Sequence, residues 1–406
     1  MGDFREGKAM ADQFIVLRDL SRTRMAAPFE RGAAAAEAPG EPHVEVVGLG
    51  KREVADLARD PSVAAVARPM PTSVPGAPED ADAPPPEAEA GDRVTWGVRA
   101  LGADASARTG AGTVVAILDT GIDATHPAFT GMTLVEEDFT GSGGGDKVGH
   151  GTHCAGTVFG RPVDGMRVGV APGVERALIG KVLGDDGKGS TAGTVKGLLW
   201  AIGNDADVIT MSLGIDFPAA MRQLEERGLP QFLATSIALE SYRATLRLYD
   251  SLMRMIAARA AFGTGTVVVA ATGNASHREL RPDFEVGPEL PSAAEGMMAV
   301  GAVQRQPSGR LSVARFSNTF PQLCAPGVDV VSARTGGGLT SKSGTSMAAP
   351  HVAGAAALWW QELRARGEGA RAAAVTGQLL LTAATGVFDD GADFADLGAG
   401  LVQAPR

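Results

Sequence analysis

From Val114 onward, short runs that are predominantly apolar, with no alternation of polar and apolar positions, alternate with segments whose apolar residues recur every three or four positions. Val114 to Leu118, Leu178 to Leu183, Val208 to Leu213, Val267 to Ala271, Met298 to Val303 and Val328 to Ser332 are runs of the first kind. Such a strand has no solvent face, so it belongs in a parallel sheet covered on both sides. Thr191 to Gly203 has helical spacing and separates two of these runs. The pattern predicts an α/β fold, a parallel β-sheet with helices on both faces. In sheets of this kind chemistry collects at the carboxyl ends of the strands. Asp119 and Asn274 both fall there.

The first 68 residues have a different texture. Gln13 to Arg18 and His43 to Leu49 read as strands, Lys51 to Arg59 as a helix stopped by Asp60-Pro61, and Ser62 to Arg68 as a third strand. This is a small α+β module, with an Ala/Pro/Gly loop from Ala26 to Pro42. Residues 69–92, which contain Pro84-Pro85-Pro86-Glu87, have no periodicity and read as a linker too polar to pack. Residues 93–406 form the main domain. Within it, an apolar stripe of Leu233, Ile237, Tyr242, Leu246, Tyr249, Leu252, Met253 and Ile256 predicts a long helix, Thr235 to Phe262, after a short one, Ala219 to Arg227. The tyrosines and methionines there read as core.

Composition narrows the partners. The chain has 406 residues, enough for a large core, and its 37 basic against 47 acidic residues give a formal charge of −10, which argues against nucleic acid. Cys154 and Cys324 are the two cysteines, expected as buried free thiols rather than a disulfide framework. No apolar run of about 18 residues exists to span a membrane. The start, Met1-Gly2-Asp3-Phe4-Arg5-Glu6, has no apolar core, so no secretory signal is expected there.

Three segments carry candidate chemistry. Ser346 lies among glycine and small residues in Gly344-Thr345-Ser346-Met347-Ala348-Ala349-Pro350-His351, a turn opening a buried helix with Pro350 in its first turn. Read alone, this is equally an N-cap serine on a closely packed helix. The second segment is Gly149-His150-Gly151-Thr152-His153-Cys154-Ala155-Gly156, and the third is Ile117-Leu118-Asp119-Thr120-Gly121. A hydroxyl needs a base to take its proton as it attacks; imidazole has the right pKa, and a buried carboxylate fixes its tautomer. An amide such as Asn274 can donate to the oxyanion beside the Ser346 backbone N–H.

These segments, in the order Asp, His, Ser, resemble the signature motifs of subtilisin-like serine proteases. The likeness runs from about Trp96 to Ala404. It implies a serine endopeptidase with Asp119, His150 and Ser346 as triad and Asn274 in the oxyanion hole. His153 and His351 would then be structural. Two edges, Lys188-Gly189-Ser190 and Ser212-Leu213-Gly214, would bind polypeptide substrates as added strands. The N-terminal module resembles the family's inhibitory propeptide, so cleavage in the linker would release an enzyme starting near Asp92. Two departures stand out. Ala128 occupies the position from which the family's calcium site draws a carboxylate, which puts calcium there in doubt; no other cofactor is implied. A helical insertion, about 216–261, follows directly on a substrate edge and is expected to rim the cleft and restrict substrates. Two alternatives share the fold: a catalytically silent binding protein, which would have lost one of these residues, and an esterase using the same triad. No Gly-x-Ser-x-Gly elbow surrounds Ser346 and no phosphate loop follows the first strand of the main domain.

Overall fold

The computed structural model of the chain describes residues 12–19, 42–75, 93–261, 263–367 and 369–406. The loop read at 26–42 lies almost wholly outside them, as do the linker beyond Pro75, the expected start near Asp92, and Phe262.

The N-terminal module is a three-stranded antiparallel sheet of β1 (Asp12–Arg18), β2 (His43–Leu49) and β3 (Val63–Ala67), ordered β2-β1-β3, with helix α1 (Lys51–Leu57). A fourth strand, β4 (Pro71–Ser73), leaves this module and joins the main domain. The main domain begins with α2 (Trp96–Ala100), β5 (Val114–Asp119), β6 (Thr133–Asp138), α3 (His150–Phe159), β7 (Arg176–Lys181), β8 (Lys188–Ser190) and α4 (Thr191–Gly203). Next come β9 (Val208–Met211), β10 (Gly214–Ile215), α5 (Phe217–Glu226), α6 (Gln231–Arg259), β11 (Val267–Ala271), β12 (Met298–Arg305), β13 (Leu311–Val313) and β14 (Leu323–Pro326). The chain closes with β15 (Val330–Ala333), β16 (Leu339–Lys342), α7 (Thr345–Arg366), α8 (Ala372–Leu381) and α9 (Phe394–Leu397).

The central sheet has the order β13-β12-β11-β9-β5-β7-β6, with β14 also beside β12. Every pairing in it is parallel except β12 with β13. Alternate residues of each strand enter different cores. Val115 and Ile117 face the core that holds α3 and α7, whereas Ala116 and Leu118 face the one that holds α4 and α6. That division is why the strands read as mainly apolar runs without a polar face.

Several boundaries differ from the sequence reading for local reasons. The strand expected at Leu178 to Leu183 ends at Lys181, because the Val182 and Leu183 N–H groups both turn onto the Asp119 carbonyl. The long helix starts at Gln231, four residues early, with Pro230 as its cap. β6 carries Glu136, Glu137 and Asp138 on a partly exposed edge, so it has no apolar run to reveal it. The segment 216–261 is also not simply a rim. Leu248, Tyr249, Leu252, Met253 and Ile256 of α6 are buried in the second core, together with Ile15 and Leu17 of β1. Only its first residues reach the cleft.

Candidate active site

Asp119 ends β5 and His150 opens α3. A side chain on Gly151 would collide with the Gly121 carbonyl and lie 3.2 Å from Asp119 Cβ, so glycine lets the helix start rest on the strand end. His150 Nδ1–H donates to Asp119 Oδ1 at 2.8 Å. A carboxylate only accepts, so the proton sits on Nδ1 and Nε2 keeps its lone pair. Nε2 is buried and has no hydrogen-bond partner among the described residues. Burial, the largest single influence, would lower the His150 pKa, but the charge and hydrogen bond of Asp119 together with the neighbouring Cys154 outweigh it and hold the imidazole well above 6.5.

Asp146, which the sequence reading did not single out, ties these two helix and strand ends together. Its Oδ1 accepts from Thr120 Oγ1 at 2.9 Å and Gly149 N at 2.8 Å, and its Oδ2 from Thr152 N at 2.8 Å and Thr152 Oγ1 at 2.7 Å. No sequence motif marks it; its role follows from where the loop after β6, which contains Gly143, Gly144 and Gly145, returns.

Pro350 is inside α7, not in its first turn as expected. It has no N–H for the carbonyl four residues earlier, which belongs to Ser346. That carbonyl accepts instead from Ser212 Oγ at 2.9 Å and Cys154 Sγ at 3.4 Å. Cys154 Sγ is also 3.9 Å from His150 Nδ1, so the two helix starts share one buried neighbour. Burial pushes the Cys154 thiol up, which keeps it protonated. The Ser346 hydroxyl lies 3.5 Å from the Ser212 carbonyl. Asn274 Oδ1 accepts from Thr345 N at 2.9 Å and Thr345 Oγ1 at 2.8 Å. The amide is thereby fixed with Nδ2 toward the cleft, where it donates to the Pro75 carbonyl at 3.3 Å.

Two other buried histidines are held elsewhere. His153 Nε2 meets the Val330 carbonyl at 2.9 Å and His351 Nδ1 the Met347 carbonyl at 2.8 Å. Burial drives their pKa values down to about 3 and about 4, so both stay neutral. Ala128 is buried and its N–H donates to His126 Nδ1 at 3.0 Å; it offers a calcium ion no carboxylate. Both cysteines are free and buried.

The segment read as an unpacked linker is, over residues 69–75, an occupant of the cleft. β4 lies between β8 and β10, antiparallel to both, with Pro71 opposite Ser190, Thr72 opposite Gly189 and Ile215, and Ser73 opposite Gly214. Val74 N donates to the Gly187 carbonyl at 3.2 Å, and Thr191 N to the Met70 carbonyl at 2.9 Å. The two edges complete its ladder, and its own composition does not. Ser212 and Leu213 form the buried link between β9 and β10.

The profile of the subtilase family matches residues 110–400. The chain is 35% identical over 271 residues to subtilisin BL of Lederbergia lenta, covering 65% of this chain and 83% of that protein. It is 34% identical over 255 residues to an intracellular serine protease of Paenibacillus polymyxa, 61% of this chain and 67% of that one. A thermostable alkaline protease of Halalkalibacterium halodurans is 32% identical over 318 residues, covering 76% and 70%. Among the described residues no helix is long and apolar enough to cross a membrane. The buried imidazole–carboxylate pair, the serine-led helix and the family match spanning them converge: the chain belongs to the subtilase family and is a serine endopeptidase.

Proposed function

We propose that Ser346 is the nucleophile, His150 its base, Asp119 the orienting carboxylate and Asn274 the oxyanion donor. The N-terminal module acts as an inhibitor whose segment Met70 to Pro75 blocks the cleft as a substrate would. As Ser346 Oγ bonds to the carbonyl carbon, its proton passes to His150 Nε2, the nitrogen left open by the Nδ1–H···Asp119 bond. The oxyanion receives the Asn274 Nδ2–H and the Ser346 N–H. The imidazolium then hands its proton to the departing amine, leaving an ester on Ser346 that water hydrolyses with the same base. Polypeptide substrates lie between Lys188–Ser190 and Ser212–Gly214, as β4 does.

The observation that carries this reading is the 3.3 Å contact between Asn274 Nδ2 and the Pro75 carbonyl. It marks Pro75 as the residue whose carbonyl would be attacked, so self-cleavage falls between Pro75 and Gly76 rather than near Asp92. N-terminal sequencing of purified wild type should find Gly76 first, while Ser346→Ala keeps its N-terminal module attached. A mature chain starting elsewhere, or cleavage in the serine variant, would contradict it.

The pair also sets the pH range. The base must be neutral to work, so activity falls as pH drops through the imidazole pKa. Because Asp119 holds that pKa well above 6.5, the acid limb of kcat/KM should have its midpoint above 6.5. A profile still flat at that pH, with loss only in the carboxylate range, would show that His150 is not the titrating base.

A further inference from the structure

The cleft floor beside Pro75 opens into a cavity of about 250 Å³, lined by Pro75, Ile215, Asp216, Pro218, Asn274 and Glu289 among others. The Glu289 carboxyl packs between β10 and the turn that follows β11. A Cβ on Gly214, in the β10 edge, would collide with Glu289 Oε2, and a Cβ on Gly273, beside the oxyanion donor, would lie 2.6 Å from Glu289 Cδ. Glycine at both positions makes room for the carboxyl. Burial pushes the Glu289 pKa up to about 7; the Asn318 amide opposes this and the charge of Asp216 adds to it. Asp216 caps α5 by accepting from Ala219 N at 2.8 Å, and Arg222 approaches it at 3.9 Å on the exposed side.

Two carboxylates facing one concave space, one of them mostly desolvated, form a site that a cation stabilises and an apolar side chain does not. The ring of Pro75 brings no charge to it. We propose that this cavity receives the side chain preceding the scissile bond and that Glu289, assisted by Asp216, selects lysine or arginine there. This rests on the reading above, in which the Pro75 carbonyl marks the reacting position. It also casts the cleft-bound segment as a poor substrate, kept in place by its tether and its strand pairing rather than by its pocket residue. The acidic partner lies in a loop, 275–291, whose path the sequence does not reveal.

The test is a series of peptide nitroanilides identical except before the scissile bond, carrying Arg, Lys, Gln, Phe or Leu, cleaved by the full chain as purified. Wild type should favour Arg or Lys over Phe by about tenfold or more in kcat/KM, and Glu289→Gln should lower the Arg-to-Phe ratio about tenfold to a hundredfold. Asp216→Asn, on the rim, should lower the same ratio by less. A wild type that prefers Phe or Leu overturns the proposal without any variant, and so does an Arg-to-Phe ratio unmoved by Glu289→Gln. A chain that reacts with a fluorophosphonate but ignores charge in the series refutes the pocket alone. A chain that does not react refutes the catalytic assignment, and the pocket reading with it.

Discussion

Ser346→Ala should leave a folded chain whose peptide hydrolysis is slower by on the order of 10⁶-fold, the loss that removing the nucleophile causes in subtilisin itself. The substitution removes one hydroxyl and nothing that α7 needs. The Ser346 carbonyl keeps its bonds to Ser212 and Cys154, and its side chain caps no helix end, since Gly344 is the cap. A progress curve on a peptide nitroanilide, with circular dichroism as the control for folding, separates lost chemistry from lost structure. Residual activity within about tenfold of wild type, far above what the oxyanion contacts alone supply, would mean another nucleophile acts.

Asp119→Asn should cost about 10⁴-fold in kcat, the effect seen when a triad carboxylate becomes an amide. The cause is visible in the bonding. Asp119 Oδ1 takes both the His150 Nδ1–H and the Thr120 N–H, the latter at 2.7 Å, and a carboxylate oxygen can accept both. An amide at this position can turn its NH₂ toward Nδ1, which moves the imidazole proton to Nε2 and leaves Ser346 without a base. The same change removes the charge that raises the His150 pKa, so the acid limb should move to lower pH. Paired pH profiles of kcat/KM check both effects. An unchanged limb would show that the Asp119 charge does not act on the base.

The central sheet was legible because its strands are covered on both faces, which leaves no polar register to confuse with a loop. Val267 to Ala271 and Thr191 to Gly203 have in the structure the bounds read from sequence. Asp119, His150, Asn274 and Ser346, the residues proposed for the site, were singled out because each stands in a glycine-containing segment at or just beyond a strand end or at a helix start. What escaped depends on contacts made by other parts of the chain. The strand at Pro71–Ser73 pairs only because two foreign edges flank it, so its own letters look like linker. Pro350 lies deeper in α7 than expected because Ser212 and Cys154 satisfy the carbonyl it cannot reach. Glu289 and Asp146 are acids in loops, a pattern usually met on surfaces, and only the folded path buries Asp146 and desolvates the half-buried Glu289. The acid-rich β6 was hidden for the opposite reason, being an edge strand with little to bury.

The account stands on Ser346 being the one hydroxyl that His150 activates. The direct measurement is peptide mapping by mass spectrometry of the processed chain after reaction with a fluorophosphonate. It should give a single adduct, on Ser346, absent when His150 is replaced by alanine. An adduct on any other residue, or undiminished labelling of Ser346 without the imidazole, would contradict it.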